Sequence, residues 1–144
     1  MTLGNSYQIS VLMPVYNASA HVAQAVRSIT SQTFRDFELI IIDDASTDEP
    51  PSILKQLASE DLRLLVLTNN NQQGISFSLN RGIETAKGQF IARMDADDYA
   101  VDQRLGLQIE AFLGDEKLVL CGSNGIHANE KLCPICRTDF PLDD

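Results

Sequence analysis

Between residues 9 and 122 short apolar runs alternate with amphipathic stretches, and this alternation constrains the fold more than any other feature of the chain. The runs cover residues 9–13, 37–42, 62–67, 90–94 and 118–121. Each is too short for an ordinary helix and ends at polar, Pro or Gly residues, which predicts strands. Several are apolar on both faces, as expected of a parallel sheet covered on two sides. Between them, Val22, Val26 and Ile29 form one helical stripe behind Ser19, a candidate cap. Asp48 and the Pro50-Pro51 pair suit the start of a second helix, with Ile53, Leu54 and Leu57 facing inward. Ile75, Leu79, Ile83 and Ala86 mark a third helix closed by Gly88, and Leu105, Ile109 and Phe112 a fourth closed by Gly114. The pattern predicts an α/β fold with right-handed crossovers. It stops after Ser123, so residues 1–124 read as one domain and residues 125–144 as a loop-rich tail, the start of an incomplete region.

Composition supports a packed domain: 44% of the 144 residues are hydrophobic. No apolar run approaches the ~20 residues of a membrane-spanning helix. Residues 1–8 have neither the basic start nor the apolar stretch of a signal peptide. A cytoplasmic protein without a transmembrane segment is expected. The formal charge of -9, from 20 acidic and 11 basic residues, argues against a nucleic-acid partner, which Lys and Arg would have to neutralise. A small phosphorylated ligand is compatible with it if a divalent cation sits between carboxylates and phosphate.

In an open α/β sheet, ligands bind beyond the carboxyl ends of the strands. The loops predicted there hold Pro14, Tyr16 and Asn17; then Asp43 and Asp44; then Asn69 to Gly74; then Asp95, Ala96, Asp97 and Asp98. Three carboxylates within four residues repel one another unless protons or a cation compensate. Their hard oxygens suit Mg2+ or Mn2+, and in an extended turn Asp95 and Asp97 point the same way. A solvated loop whose Asp98 or Asp102 caps the next helix is the alternative. Asp43 and Asp44 could accept from a base N–H or a ribose hydroxyl, or serve an Asx-turn with Ser46, Thr47 or Asp48 capping. Tyr16 offers a flat face to a base, or packs on the core.

Neither GxGxxG nor GxxxxGK[ST] occurs, so dinucleotide and P-loop sites lack their glycines. A magnesium-dependent phosphoryl-transfer domain could use Asp43, Asp44 and Asp97, although such domains place their acidic cluster after the first strand. Cys133 and Cys136 form a single CxxC with only His127 and Cys121 as further ligands, short of a structural zinc site. Free thiols are expected.

Residues 9–17, Ser28 to Phe34, Phe37 to Asp48, Gly74 to Gly82 and Asp95 to Asp98, in that order and at those spacings, resemble the family 2 glycosyltransferases of GT-A fold over roughly residues 7–124. The resemblance implies a Rossmann-like three-layer sandwich with a mainly parallel central sheet. It implies a nucleotide diphosphate-sugar donor, most often a UDP-sugar, and transfer of the sugar to an acceptor hydroxyl with inversion. Tyr16 would stack on the base and Asp44 would contact uracil, with Asp43, Pro14 and Asn17 beside them. Asp95 would lie near ribose and metal, Ala96 in the same turn, and Asp97 would ligate Mn2+ or Mg2+. Gly74, Asn80 and Arg81 would line the donor site and Arg93 would approach the diphosphate. The acceptor would be a saccharide or a lipid-linked sugar, met in the cytoplasm or at the cytoplasmic face of the membrane. The family's general base lies in a downstream acidic motif; Asp143 and Asp144 lack its surroundings and are not assigned that role. The chain is therefore expected to supply the donor site alone, or to act as a non-catalytic nucleotide-sugar-binding module.

Overall fold

The computed structural model describes residues 7–48, 50–129 and 132–138, with the backbone alone at 50 and 51. Four parallel strands form the central sheet: β1 (Ile9–Val15), β2 (Phe37–Asp43), β3 (Leu64–Thr68) and β4 (Phe90–Arg93), in the order β3-β2-β1-β4. The helices are α1 (Val22–Thr30), α2 (Pro50–Glu60), α3 (Ile75–Thr85) and α4 (Arg104–Gly114). Every residue of β2 is buried, as is all of β1 except Pro14, so continuous apolar runs form the two middle strands. The edge strands β3 and β4 are partly exposed, which explains their more mixed sequences.

The chain steps outward from β1 to β2 to β3, then returns to the other side of β1 to lay down β4. With right-handed crossovers this reversal puts α1 and α2 on one face and α3 on the other, giving the three layers. Leu12, Ile40 and Ile42 face α3, with Leu67, Leu79 and Ala86 packed against them. On α3 the buried residues are Ser78 and Gly82, while Ile75 and Ile83 are about half exposed, contrary to the expected stripe. The reason is close approach: a Cβ on Gly82 would meet Ile42 Cδ1 at 3.0 Å and Leu12 Cδ2 at 3.2 Å. Val22, Val26 and Ile29 of α1 and Leu54 and Leu57 of α2 are buried, as their spacing predicts.

Other expectations need correction. Ser19 does not cap α1; His21 is the N-cap, and the Ser19 amide donates instead to Asp48 Oδ2 (3.0 Å). Gly88 does not close α3, which ends at Thr85. It lies against β1, where an added Cβ would fall 2.4 Å from the Ser10 nitrogen. Its amide donates to Ser10 Oγ, and Ser10 Oγ donates to the buried Glu38, which also accepts from the Lys87 amide. Leu62 precedes β3 and is 97% exposed. Residues 118–121 form no strand, and Val119 and Leu120 are exposed; four apolar residues do not make a strand without a neighbour to pair with.

The chain divides into two compact units, Met1–Gly106 and Leu107–Asp144. The first holds the four-stranded sheet. The second includes most of α4 and residues 125–144, where the sequence shows no sustained period. It contains an antiparallel pair, β5 (Ile126–Ala128) and β6 (Pro134–Arg137), in which His127 faces Cys136. Gly125 and Thr138 close its open end through the Gly125 amide to Thr138 Oγ (2.7 Å) and the Thr138 amide to the Gly125 carbonyl (2.9 Å). None of the three cysteines is joined in a disulfide, and among the described residues no three His, Cys, Asp or Glu side chains gather to hold a metal. No described helix is long and apolar enough to cross a membrane.

Candidate functional site

The strand order reverses between β1 and β4, and open α/β sheets leave a crevice at such a switch point. Tyr16 and Asn17 follow β1 on one side of it, and Asp95 to Asp98 follow β4 on the other. Asp44 follows β2, and Asn69 to Gly74 follow β3, farther from the switch. With strands about 4.8 Å apart, Asp44 and Asp95 lie two spacings, or roughly 10 Å, from one another. That row of loops can hold an extended ligand laid across the strand ends.

Pro14 is tolerated inside β1 because β4 pairs only with residues up to Leu12, so Pro14 has β2 alone as neighbour. Tyr16 is 44% exposed, which leaves a ring face open rather than packed in the core. Asn17 adopts a left-handed conformation (φ 49°) that Asn tolerates, and it stitches the first loop to the second. Its amide donates to Ser46 Oγ (3.0 Å), and its Oδ1 accepts from the Thr47 amide (2.9 Å).

Asp43 and Asp44 divide two tasks. Asp43 Oδ1 accepts from both the amide and the hydroxyl of Ser46, turning the chain at the end of β2. Asp44 reaches across to the loop after β3: Oδ1 accepts from Asn69 Nδ2 (2.6 Å) and the Gln73 amide (2.9 Å), and Oδ2 from the Gly74 amide (2.7 Å). Burial acts to raise the Asp44 pKa, but the bonds from Asn69, Gln73, Gly74 and Ser78 outweigh it and hold the carboxyl below its ordinary 3.8. Gly74 carries φ 89° and ψ 165°, a conformation essentially reserved for glycine, and this turns its amide toward Asp44. Arg81 Nη1 donates to the Thr68 carbonyl and to Asn69 Oδ1, both at 2.7 Å, so its described contacts brace the end of β3. Asn80, its neighbour on α3, is exposed.

The turn after β4 is the reverse. Ala96 is buried at its base, while Asp97 and Asp98 are exposed. Arg93 Nη2 donates to Asp95 Oδ1 (2.6 Å) in a pair open to solvent. Partial desolvation, then the charges of Asp95 and Asp97, push the Asp98 carboxyl above 3.8 against the pull of Arg104 and Arg93. Uncompensated negative charge on hard oxygens fits a divalent cation. With no cluster of three such ligands among the described residues, the chain can offer Asp95 and Asp97, leaving other positions to water or phosphate oxygens. Asp143 and Asp144 lie outside the described residues.

Residues assigned no role of their own from sequence matter here. Asn69 links Asp44, Ser78 and Arg81 within one buried network, and Gln32 and Ser28 bind the segment after the acidic turn. Only the resemblance had touched Ser28 and Gln32, without giving them a role.

A sequence model of glycosyl transferase family 2 matches residues 10–132. An uncharacterized glycosyltransferase of Haemophilus influenzae is 33% identical over 88% of this chain and 48% of its own length. The UDP-Glc:alpha-D-GlcNAc-diphosphoundecaprenol beta-1,3-glucosyltransferase WfgD of Escherichia coli is 31% identical over 89% of this chain and 50% of its own. The chain thus spans about half the length of these curated relatives. Among solved structures, S. aureus TarS 1-349 in complex with UDP-GlcNAc superposes with a TM-score of 0.71 at 26% identity, covering 76% of this chain and 32% of that one. The GT-A fold expected from the sequence is thereby found in the structure, and the chain belongs to glycosyl transferase family 2.

Proposed function

We propose that residues 1–124 form the donor-binding part of a metal-dependent, inverting glycosyltransferase that uses a UDP-sugar. The observation that carries this reading is the placement, at one end of one sheet and around its switch point, of an open tyrosine, a bonded aspartate and an under-compensated acidic turn. The UDP-GlcNAc complex of TarS supports the choice of nucleotide.

Tyr16 presents its exposed face to the base. Asp44 Oδ2 takes one described hydrogen bond, from Gly74, and keeps acceptor capacity for a uracil N–H. Asn17, Asp43, Gly74 and Arg81 hold the loops around that carboxylate, and Asn80 stands on the exposed side of α3. Asp95 turns toward ribose and cation, and Asp97 ligates Mn2+ or Mg2+. The exposed Arg93–Asp95 pair is worth little in water, so a diphosphate can draw Arg93 away. When bound, the cation supplies charge neutralisation on the departing diphosphate. Deprotonation of the acceptor hydroxyl needs a general base, and none of the described carboxylates is assigned to it. WfgD is named for a lipid-linked acceptor, which favours a saccharide on a lipid carrier at the cytoplasmic face of a membrane here.

A phosphoryl-transfer reading is disfavoured because two of its three acidic candidates, Asp43 and Asp44, are buried and hydrogen-bonded within the chain. Calorimetric titration of UDP with and without Mn2+ tests the donor site. Binding that tightens with the metal is expected; UDP binding indifferent to metal overturns the reading.

A further inference from the structure

We propose that Gln32, at the end of α1, is a positioning residue that sets the acidic turn in its metal-binding geometry. The proposal rests on the donor-site reading above. Gln32 is completely buried, and a buried carboxamide is tolerated only when its polar atoms are bonded. Its Nε2 donates to the Ser28 carbonyl (3.0 Å) and the Val101 carbonyl (2.7 Å), and its Oε1 accepts from the Leu105 amide (3.0 Å). One side chain therefore grips the segment following the turn and the first turn of α4.

Its neighbours grip the same segment. Ser28 Oγ accepts from the Ala100 amide (3.1 Å) while donating to the Ala25 carbonyl, and the Thr33 amide and hydroxyl both donate to the Asp102 carbonyl. On the upstream side the Met94 amide is tied to the Leu12 carbonyl (3.0 Å), and Arg104 Nη2 closes the neck by donating to the Arg93 carbonyl (2.7 Å). Residues 95–99 are thus suspended between fixed ends. Within the turn, the Asp98 amide makes a long bond to the Asp95 carbonyl (3.2 Å). Carboxylates that repel one another would splay so thinly bonded a turn if its ends were loose.

The Leu105 amide is one of the donors left unsatisfied at any helix start. Because Gln32 satisfies it from the segment just beyond α1, the carboxylates of Asp98 and Asp102 are not needed for that bond. The arrangement supplies a cap without spending the acidic side chains next to it.

Gln32→Met keeps side-chain length and removes both polar ends, so UDP titration with and without Mn2+ on this variant tests the role. The metal-free affinity is expected to stay at the wild-type value while the Mn2+ enhancement falls by about 10-fold, as for groups that orient metal ligands without touching the ion. Full enhancement in the folded variant overturns the proposal, and so does an equal loss with and without metal, which would mark a merely structural residue. If Gln32→Met does not fold, Gln32→Asn decides. It keeps the carboxamide but is one methylene too short to serve both Val101 and Leu105, and an undiminished metal enhancement in that variant overturns the proposal. A wild-type chain without metal-enhanced binding overturns instead the donor-site reading.

Discussion

Asp43, which ends β2, and Asp44, which follows it, have 1% and 4% of their surface exposed, whereas Asp97 and Asp98, beyond the other side of β1, are open to solvent. The two acidic groups look alike on paper. In the fold, one pair is bonded to backbone amides and to Ser46 and Asn69, and its charge organises the loops after β2 and β3. The other group has an exposed arginine pair and mutual repulsion. The difference teaches that a carboxylate bonded by its own chain ties loops together, while one left uncompensated leaves local charge for something else to balance.

The largest effect that could break this contrast is expected from Asp97→Ala. By calorimetry the Mn2+ enhancement of UDP binding should vanish, a loss of at least ~100-fold given that even outer partners of metal ligands reach that range. The denaturant midpoint should hardly move, because an exposed turn contributes little to the core. Retained metal dependence would remove Asp97 from the site.

Asp44→Asn should show the opposite profile. It replaces a charged acceptor facing two amides and Asn69, and is expected to lower stability by about 3 kcal/mol in urea at neutral pH. Since the folded-state pKa of Asp44 is lowered, its ionisation stabilises the fold above 3.8, and that stability is lost as pH falls from there through the folded value. Variant and wild type should therefore converge in acid. A gap that persists unchanged at low pH would show that charge is not what Asp44 contributes.

Asp98→Asn sharpens the comparison from the other side. Relieving repulsion in a solvent-screened turn should leave metal-free stability equal or higher by about 0.5 kcal/mol at most. Marked destabilisation in thermal unfolding would mean that the acidic turn, too, is part of the framework.

Much of this was legible in the sequence. The β1 and β2 runs, the proline start of α2 and the order of the polar loops follow from period and punctuation, because bulky apolar residues and prolines report directly on burial and dihedral angles. The seating of α3 was hidden because Ser78 and Gly82 pack by being small, and hydrophobic periodicity registers only large side chains. Residues 118–121 misled in the opposite way, since an apolar run does not show whether a neighbour exists to pair with it. The partners of Asp44 and Gln32 lie 25 to 30 and 69 to 73 residues away along the chain, apart from Gln32's local bond to Ser28, and no local pattern encodes contacts at that range.

Ser10 bonds to Glu38, 28 residues ahead, and receives the Gly88 amide from 78 residues ahead. Closing the longer loop from an open chain costs roughly 1 kcal/mol more than closing the shorter one, so on loop-closure grounds β1 and β2 are expected to pair before β4 arrives. The acidic turn hangs from β4. During folding, then, the Asp43–Asp44 side of the crevice takes shape first, and the acidic turn of Asp95 to Asp98 is set in place after it.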